Sequence, residues 1–205
     1  MTKEEYQQKV WSFYLRLEDD FIDALNYVTL SESNYTAYSI EFERLILAIC
    51  SEVDVLFKLL CKKISPEGNP QNVIEYFPLL SQLDGLVTAT VVCTQTNEEL
   101  SPFSEWSDTV RPSWWTQYNA IKHNRIDNDN FKLGNLKNTF FSLAALYVLN
   151  RFYCKQISNC EEKSEPLPQS SFFSMKGWPV YTPIGGSFYR IVAPGMGMTI
   201  KHVGQ

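Results

Sequence analysis

A stripe of apolar residues at helical spacing, between positions 42 and 60, constrains the fold of this chain more than any other feature. Residues three and four apart share one face of an α-helix, so the stripe predicts a long helix with one face in a core. Lys62 and Lys63 follow it and favour a helix end there, because cations complement the partial negative charge of a helix C-terminus. The stripe consists of Phe42, Leu45, Ile46, Ile49, Val53, Leu56, Phe57 and Leu60.

Two more helices are predicted on either side of it. Over residues 3–30 the apolar positions again recur at helical spacing, and the polar run at 31–34 breaks the pattern. A short break between two amphipathic helices favours an antiparallel pair. Residues 131–157 form the last long helix, and its middle, 140–149, is apolar nearly all round. Such a helix needs cover from its own bundle or from a partner subunit, and we predict a homodimer through it.

The other segments predict a small amount of β-structure. Residues 88–96 are rich in β-branched side chains and predict a strand, whereas the prolines of 65–85 allow only a short helix around 71–76. Beyond the predicted helices, 171–175, 187–192 and 198–203 are strand candidates able to pair with 88–96. The expected fold is mainly α: an up-and-down helical bundle over 1–160, a β-rich insertion at 65–112, and a β-rich C-terminal extension over 161–205 that packs on it.

Composition limits the classes of partner. The chain has 205 residues, as expected for one main domain, and a net charge of −5, so no overall positive field attracts nucleic acid. Binding of that kind requires a local patch, and residues 111–137 contain one, with five cations against two aspartates. The same patch is also compatible with an ordinary solvated face. Its cations are Arg111, Lys122, Arg125, Lys132 and Lys137.

The cysteines and the hydropathy pattern indicate a cytoplasmic protein. Five cysteines without a C-x-x-C pair, in a helix-rich chain, are typical of reduced and packed thiols. The start of the chain lacks the pattern of a signal peptide, and the longest strongly apolar run is shorter than the ~20 residues that span a bilayer. We therefore expect no membrane association.

The candidate site lies on the helix that Ser113 is expected to cap. Asn119 and His123 are four residues apart and share a face of this helix, with Lys122 beside them. An imidazole that transfers protons and cations that hold a phosphate can cleave a phosphodiester without a metal. Arg125 projects about 160° away from His123 on a regular helix, so its participation requires a frayed end or a second subunit. The alternative is that His123 is a helix-end histidine bonded to a backbone carbonyl.

Further residues are candidates for binding and support. Trp115 lines up with Asn119 and Lys122 and is the best candidate for stacking on a base, whereas Trp114 and Tyr118 fit the core. Arg111 and Lys132 are additional candidates for nucleic-acid binding. Glu52, at the edge of the 42–60 stripe, is either a support for the cations and His123 or a surface glutamate. The spacing of Cys and His fits no metal site, so no metal or cofactor is expected.

The order of these segments resembles the HEPN superfamily of prokaryotic defence and toxin proteins. The resemblance covers residues 3–157 and depends on two long amphipathic helices, a variable insertion, an Ala-Leu-rich final helix and the motif Tyr118-Asn119-Ala120-Ile121-Lys122-His123-Asn124-Arg125. A second, shorter similarity lies in the segment from Glu41 to Asp54. The resemblance implies a HEPN-like bundle, usually dimeric, with a site at the dimer interface.

The resemblance also implies a reaction. In active members an arginine precedes the histidine by several residues, and the pair cleaves RNA without a metal. Here His123 takes the histidine role, but Asn119 stands near the place of the arginine, and Lys122 or Arg125 would have to replace it. On a continuous helix Arg111 would lie about 18 Å from His123, too far without a bend.

Two functions follow from this sequence. The first is an RNA-acting protein, a metal-independent endoribonuclease in bacterial defence or stress response. The alternative is a non-catalytic nucleotide-binding or protein-interaction module of HEPN-like fold, since many members of the superfamily lack ribonuclease activity. A purely structural helical domain is a third reading.

Overall fold

A computed structural model describes residues 1–158 and 166–178, together with the backbone of three further strands, Val180–Ile184, Ser187–Ile191 and Ile200–Val203. The described part is mainly helical, with small antiparallel sheets, as the sequence predicts. The predicted boundary at 160–161 and Cys160 lie outside the described residues.

The first helical segment ends earlier than predicted and contains an irregularity. It consists of α1 (Lys3–Tyr6), a π-helical turn (Gln7–Trp11) and α2 (Ser12–Ala24). Thr2 caps α1 through a reciprocal capping box with Glu5. The helical pattern of the sequence extends to 30, but the chain leaves the helix after Ala24, and the apolar residues beyond it pack against the core from a loop.

Side-chain pairs give the directions of the four long helical segments. Along the first segment, Tyr6 lies beside Tyr153 and Phe21 beside Phe140, so α6 (Leu136–Ser158) runs antiparallel to it. Phe21 also lies beside Phe42 at the start of α3 (Ile40–Ile64), which therefore turns back along α2.

The fourth long segment also runs in the direction opposite to the segment before it. In α5 (Ser113–Asn124), Trp115 lies beside Phe57, and Arg125 just after the helix pairs with Glu43, so α5 runs antiparallel to α3. The directions of the long segments consequently alternate in chain order, as in an up-and-down bundle.

The apolar helix α6 is the centre of this bundle. Every residue from 142 to 154 is buried within the monomer, including Asn150 and Arg151. The prediction of a homodimer through 131–157 is therefore not supported: the cover comes from the chain itself, and the helix middle offers no exposed apolar surface. Helix α6 begins five residues later than the predicted helix, because residues 127–133 form a 3₁₀ segment in which Asn128 and Asp129 have positive φ.

The predicted insertion contains both short elements. Helix α4 (Val73–Leu80) is longer than predicted and includes Pro78 in its interior. The predicted strand is shorter, at Val91–Cys93 (β1), and pairs antiparallel with β2 (Glu99–Leu100). Trp106 fixes the rest of the insertion to α4, because its indole Nε1 donates to the carbonyl of Val73 at 3.2 Å.

The chain after α6 returns to this insertion. Strand β3 (Phe173–Met175) pairs antiparallel with β1, with Val92 opposite Ser174, so the first sheet has the order β2-β1-β3. Phe172 and Phe173 are buried among the aromatic rings of α2 and α6. The predicted pairing of 171–175 with the central strand is confirmed.

A second sheet has the order β4-β5-β6, from β4 (Val180–Ile184), β5 (Ser187–Ile191) and β6 (Ile200–Val203). The strands predicted at 187–192 and 198–203 are thus present, but they pair with β4, which the sequence did not predict, and not with β1.

Two close contacts join the bundle's elements. The backbone of Gly134 lies against α3: a Cβ built on Gly134 would be 2.7 Å from the Cα of Glu43, so this position requires a residue without a side chain. The buried carboxylate of Glu18 accepts hydrogen bonds from Tyr14, Ser170 and Ser171, and it thereby fixes the segment before β3 to α2.

Four cysteines of the described residues are buried, at positions 50, 61, 93 and 154. Burial raises the pKa of Cys61 to about 11. No helix among the described residues has both the length and the apolar character that crossing a bilayer demands.

Candidate functional site

A groove of about 500 Å³ lies along one face of α5 and brings most of the predicted site residues together. Its other walls are α3 and the start of α4. Of the residues predicted from the sequence, it is lined by Arg111, Trp115, Asn119, Lys122 and His123. We call it the α5 groove.

The start of α5 differs from the prediction in a way that matters for the site. The helix follows Pro112, whose φ of −54° suits a helix entry, and Ser113 is the first helical residue and not the cap. Arg111 therefore lies before the helix and not on its continuation. Arg111 lines the same groove as His123, but at the other end of α5, so it does not take the place of the missing arginine beside the histidine.

Aromatic residues form the floor of the groove and fix α5 in the bundle. Trp114 is buried, and its indole Nε1 donates to the carbonyl of Pro102 at 2.8 Å. Trp115 is only 7% exposed and packs against Phe57, so it offers an edge to a ligand and not a free ring face. Tyr118, predicted to be core, is buried and also lines the groove.

The catalytic candidates lie at the C-terminal end of α5. His123 and Lys122 are both exposed, so the imidazole is accessible from the groove. The ammonium of Lys122 lies 5.5 Å from the centre of the Tyr118 ring, in a cation–π contact that directs it back along the helix. The amide nitrogen of Asn119 donates to the carbonyl of Trp115 at 3.0 Å, which leaves its oxygen as the group able to meet a ligand.

The opposite wall contains residues that the sequence analysis did not assign to the site. Ser51, Asp54 and Lys58 lie on one face of α3 and line the groove. Lys58 pairs with Asp54 at 2.5 Å, and the hydroxyl of Tyr76 donates to the same carboxylate at 2.9 Å. Burial and this hydrogen bond raise the pKa of Tyr76 above its usual range.

The sequence signal for this wall was present but ambiguous. Positions 51, 54 and 58 are spaced three and four apart beside the apolar stripe, as in a polar helix face. From the sequence of α3 alone, Asp54 and Lys58 are interpreted as an exposed ion pair. Their role in the groove depends on the position of α5, which the sequence of α3 does not specify.

The start of α4 closes the groove. Gln71, Asn72 and Val73 line it, and the Asn72 side chain accepts from the backbone of Ile74 and Glu75 as a helix cap. The Asn72 amide also donates to Glu75 at 2.5 Å, so its polar groups already have protein partners.

Two predicted residues, Arg125 and Lys132, do not line the groove. The Nε of Arg125 is 2.5 Å from the buried carboxylate of Glu43, so this arginine connects the end of α5 to the start of α3. It points away from His123, as regular helix geometry requires. Lys132 pairs with Asp129 at 2.7 Å on the 3₁₀ segment. Both therefore form protein contacts where the sequence suggested phosphate contacts.

Glu52 fits neither predicted role: it is not a fully exposed surface glutamate, and it does not support the cations and His123. Its carboxylate is half-buried, and burial raises its pKa. Within the described residues it forms no ion pair with Lys122, Arg125 or His123, and it does not line the groove. Its neighbour Ser51 faces the groove instead.

The charge of the groove favours an anionic ligand. Lysine and arginine contribute three positive charges, from Lys58, Arg111 and Lys122, against the single carboxylate of Asp54. Since Asp54 and Lys58 neutralise each other, Arg111 and Lys122 remain to attract an anion, beside an accessible imidazole. Among the described residues, no cluster of three His, Cys, Asp or Glu side chains is arranged to hold a metal ion.

Comparisons of this chain with models of protein families, with curated proteins and with solved structures find no match.

Proposed function

We propose that the chain binds single-stranded RNA in the α5 groove and cleaves it without a metal ion. The proposal depends on one observation: five residues singled out from the sequence for this chemistry line one groove, with His123 exposed to it. The similarity of residues 3–157 to the HEPN superfamily supports the same reading. We also propose that the protein acts in bacterial defence or stress response.

The reaction assigns a role to each residue. The neutral imidazole of His123 takes the proton of a ribose 2′-hydroxyl as its oxygen bonds to the adjacent phosphorus. The bond from phosphorus to the 5′-oxygen breaks, and this oxygen takes a proton from the imidazolium. The products are a 2′,3′-cyclic phosphate and a 5′-hydroxyl. Lys122, beside His123, stabilises the negative charge that develops on the phosphate, whereas Arg111 binds another part of the strand.

The test is cleavage of mixed tRNA and mRNA by the purified protein in the presence of a chelator. We expect His123→Ala to lower the rate at least 100-fold, the usual range for loss of a general acid–base. Lys132→Gln is the matched control that removes a nearby cation outside the groove, and it is expected to retain the activity. Unchanged cleavage by His123→Ala would rule out the proposed mechanism.

A second candidate is a binding module without turnover. One observation favours it: Asp54, the only carboxylate among the described residues that line the groove, is already engaged by Lys58 and Tyr76. His123 therefore has no free carboxylate beside it in the groove to orient its ring. RNA binding that depends on Arg111 and Lys122, with no cyclic phosphate product, would support this function instead.

A further inference from the structure

The two ends of the α5 groove both carry cations. Because α3 and α5 run antiparallel, with Phe57 beside Trp115 and Glu43 beside Arg125, Lys58 lies towards the start of α5. Arg111, just before the helix, shares this end, whereas Lys122 and His123 occupy the other. Positive charge is thus divided between two positions.

The separation of these ends follows from helix geometry. From Trp115 to Lys122 is seven residues, or about 10 Å at 1.5 Å of rise each, and Arg111 lies further still. The interval from Ser51 to Lys58 on α3 is the same. Both walls therefore indicate a distance of about 10 Å between these positions of the groove.

The middle of the groove has a different character. Between the ends lie the edges of Trp115 and Tyr118 and the amide of Asn119, with the carboxylate of Asp54 opposite. These groups suit an uncharged, planar part of a ligand such as a base or sugar. A second anion is less favourable there because Asp54 would face it.

One phosphate cannot use both ends, since its hydrogen bonds extend only about 2.7–3.2 Å. We infer that the occupant is a single-stranded RNA segment that bridges both ends, with one phosphate at Arg111 and another, at least three nucleotides away along the strand, at Lys122 and His123. The length follows from about 3.4 Å of rise per nucleotide in a stacked strand. The inference rests on the proposed function, to which it adds a minimum substrate length and a bridging mode of binding.

The experiment measures binding separately from cleavage. The probes are 2′-O-methyl oligouridylates of one, two, four and six nucleotides, each with a 5′-phosphate, which lack the nucleophilic hydroxyl; the tetranucleotide is then the shortest probe with two phosphates three nucleotides apart. We expect the tetranucleotide to bind at least tenfold more tightly than the mononucleotide. Arg111→Gln and Lys122→Gln are each expected to remove this preference, because loss of either end abolishes bridging. Lys132→Gln, a matched loss of charge outside the groove, is expected to retain it.

The outcomes separate this inference from the proposed function. A preference below tenfold, a preference that survives both groove substitutions, or no binding at any length would overturn bridging. If bridging is absent but RNA cleavage depends on His123, the proposed function stands alone. If bridging is present but RNA is not cleaved, the substrate class and length stand and the catalytic proposal fails.

Discussion

At the scale of single residues, ion pairs decide which cations are available to a ligand. Arg125 and Lys132 look equivalent to Lys122 in the sequence, but each has a carboxylate partner in the structure. Glu43, the ion-pair partner of Arg125, lies 82 positions before it in the chain. No local pattern reveals such a partner, so the sequence analysis grouped Arg125 with His123 and Lys122, whereas in the structure it pairs with Glu43 outside the groove.

Glu52 gives a prediction at this scale. Burial raises the pKa of its carboxylate, so the folded state favours the protonated form. The resulting stabilisation is present below the unfolded pKa, about 4.3, and is lost as the pH rises through the folded value. At pH 7 the charged side chain therefore destabilises the fold, and Glu52→Gln is expected to increase the free energy of unfolding slightly.

Urea unfolding at pH 7 and below pH 4 checks this expectation. The gain from Glu52→Gln should shrink at the lower pH, where the native carboxylate is protonated. Glu67→Gln, at an exposed position, is the matched control. An equal gain at both pH values would show that the carboxylate's charge is not the cause.

At the scale of elements, apolar periodicity predicted the long helices well. The stripe at 42–60 corresponds to α3, and the apolar run at 140–149 lies inside α6, because burial of a face imposes that spacing. Ends and irregular turns were predicted less well. The π-helical turn at Gln7–Trp11 and the 3₁₀ segment at Asp127–Leu133 both contact distant parts of the chain, and Phe131 lies beside Tyr38. Trp11, for example, donates to the carbonyl of Pro168 at 2.8 Å.

The attachment of the segment before β3 gives a prediction at this scale. Glu18 accepts from Tyr14, Ser170 and Ser171, and a glutamine has only one oxygen and no charge for these donors. Hydrogen bonds to a charged group are worth more than neutral ones, so Glu18→Gln is expected to lower the free energy of unfolding by about 2 kcal/mol.

Chemical denaturation measures this loss, and limited proteolysis reports whether the 166–178 segment is released first. Asp19→Asn is the matched control, because Asp19 is the exposed neighbour on the same helix. Equal stability of Glu18→Gln and Asp19→Asn would mean that the buried carboxylate does not hold the segment.

At the scale of the whole molecule, the sequence predicted a helical bundle but misjudged what covers its most apolar helix. An all-round apolar helix is equally compatible with the centre of a monomer and with a dimer interface. The monomer covers α6 because the chain returns after it and adds β3 and the rings of Phe172 and Phe173. Periodicity predicts that a surface is buried, but not which part of the chain buries it.

Ala145 distinguishes these two arrangements. It is fully buried in the monomer, so Ala145→Glu places a carboxylate in the core and is expected to cost roughly 3 kcal/mol or more. We expect loss of soluble protein or a much lower thermal midpoint. Tyr27→Glu, at a position that is 93% exposed, is expected to leave both unchanged. Soluble, stable and monomeric Ala145→Glu protein would instead indicate that this face of α6 is a subunit interface.

The pairing of β3 with β1 has a consequence for biosynthesis. Residues 172–175 complete the packing around Phe21 and Phe140, yet they leave the ribosome after every helix of the bundle has been made. Until then the nascent chain has an open aromatic cleft and a strand with one bare edge, a state prone to self-association. The emergence of residues 172–175 from the ribosome is therefore the step at which that cleft can first be closed.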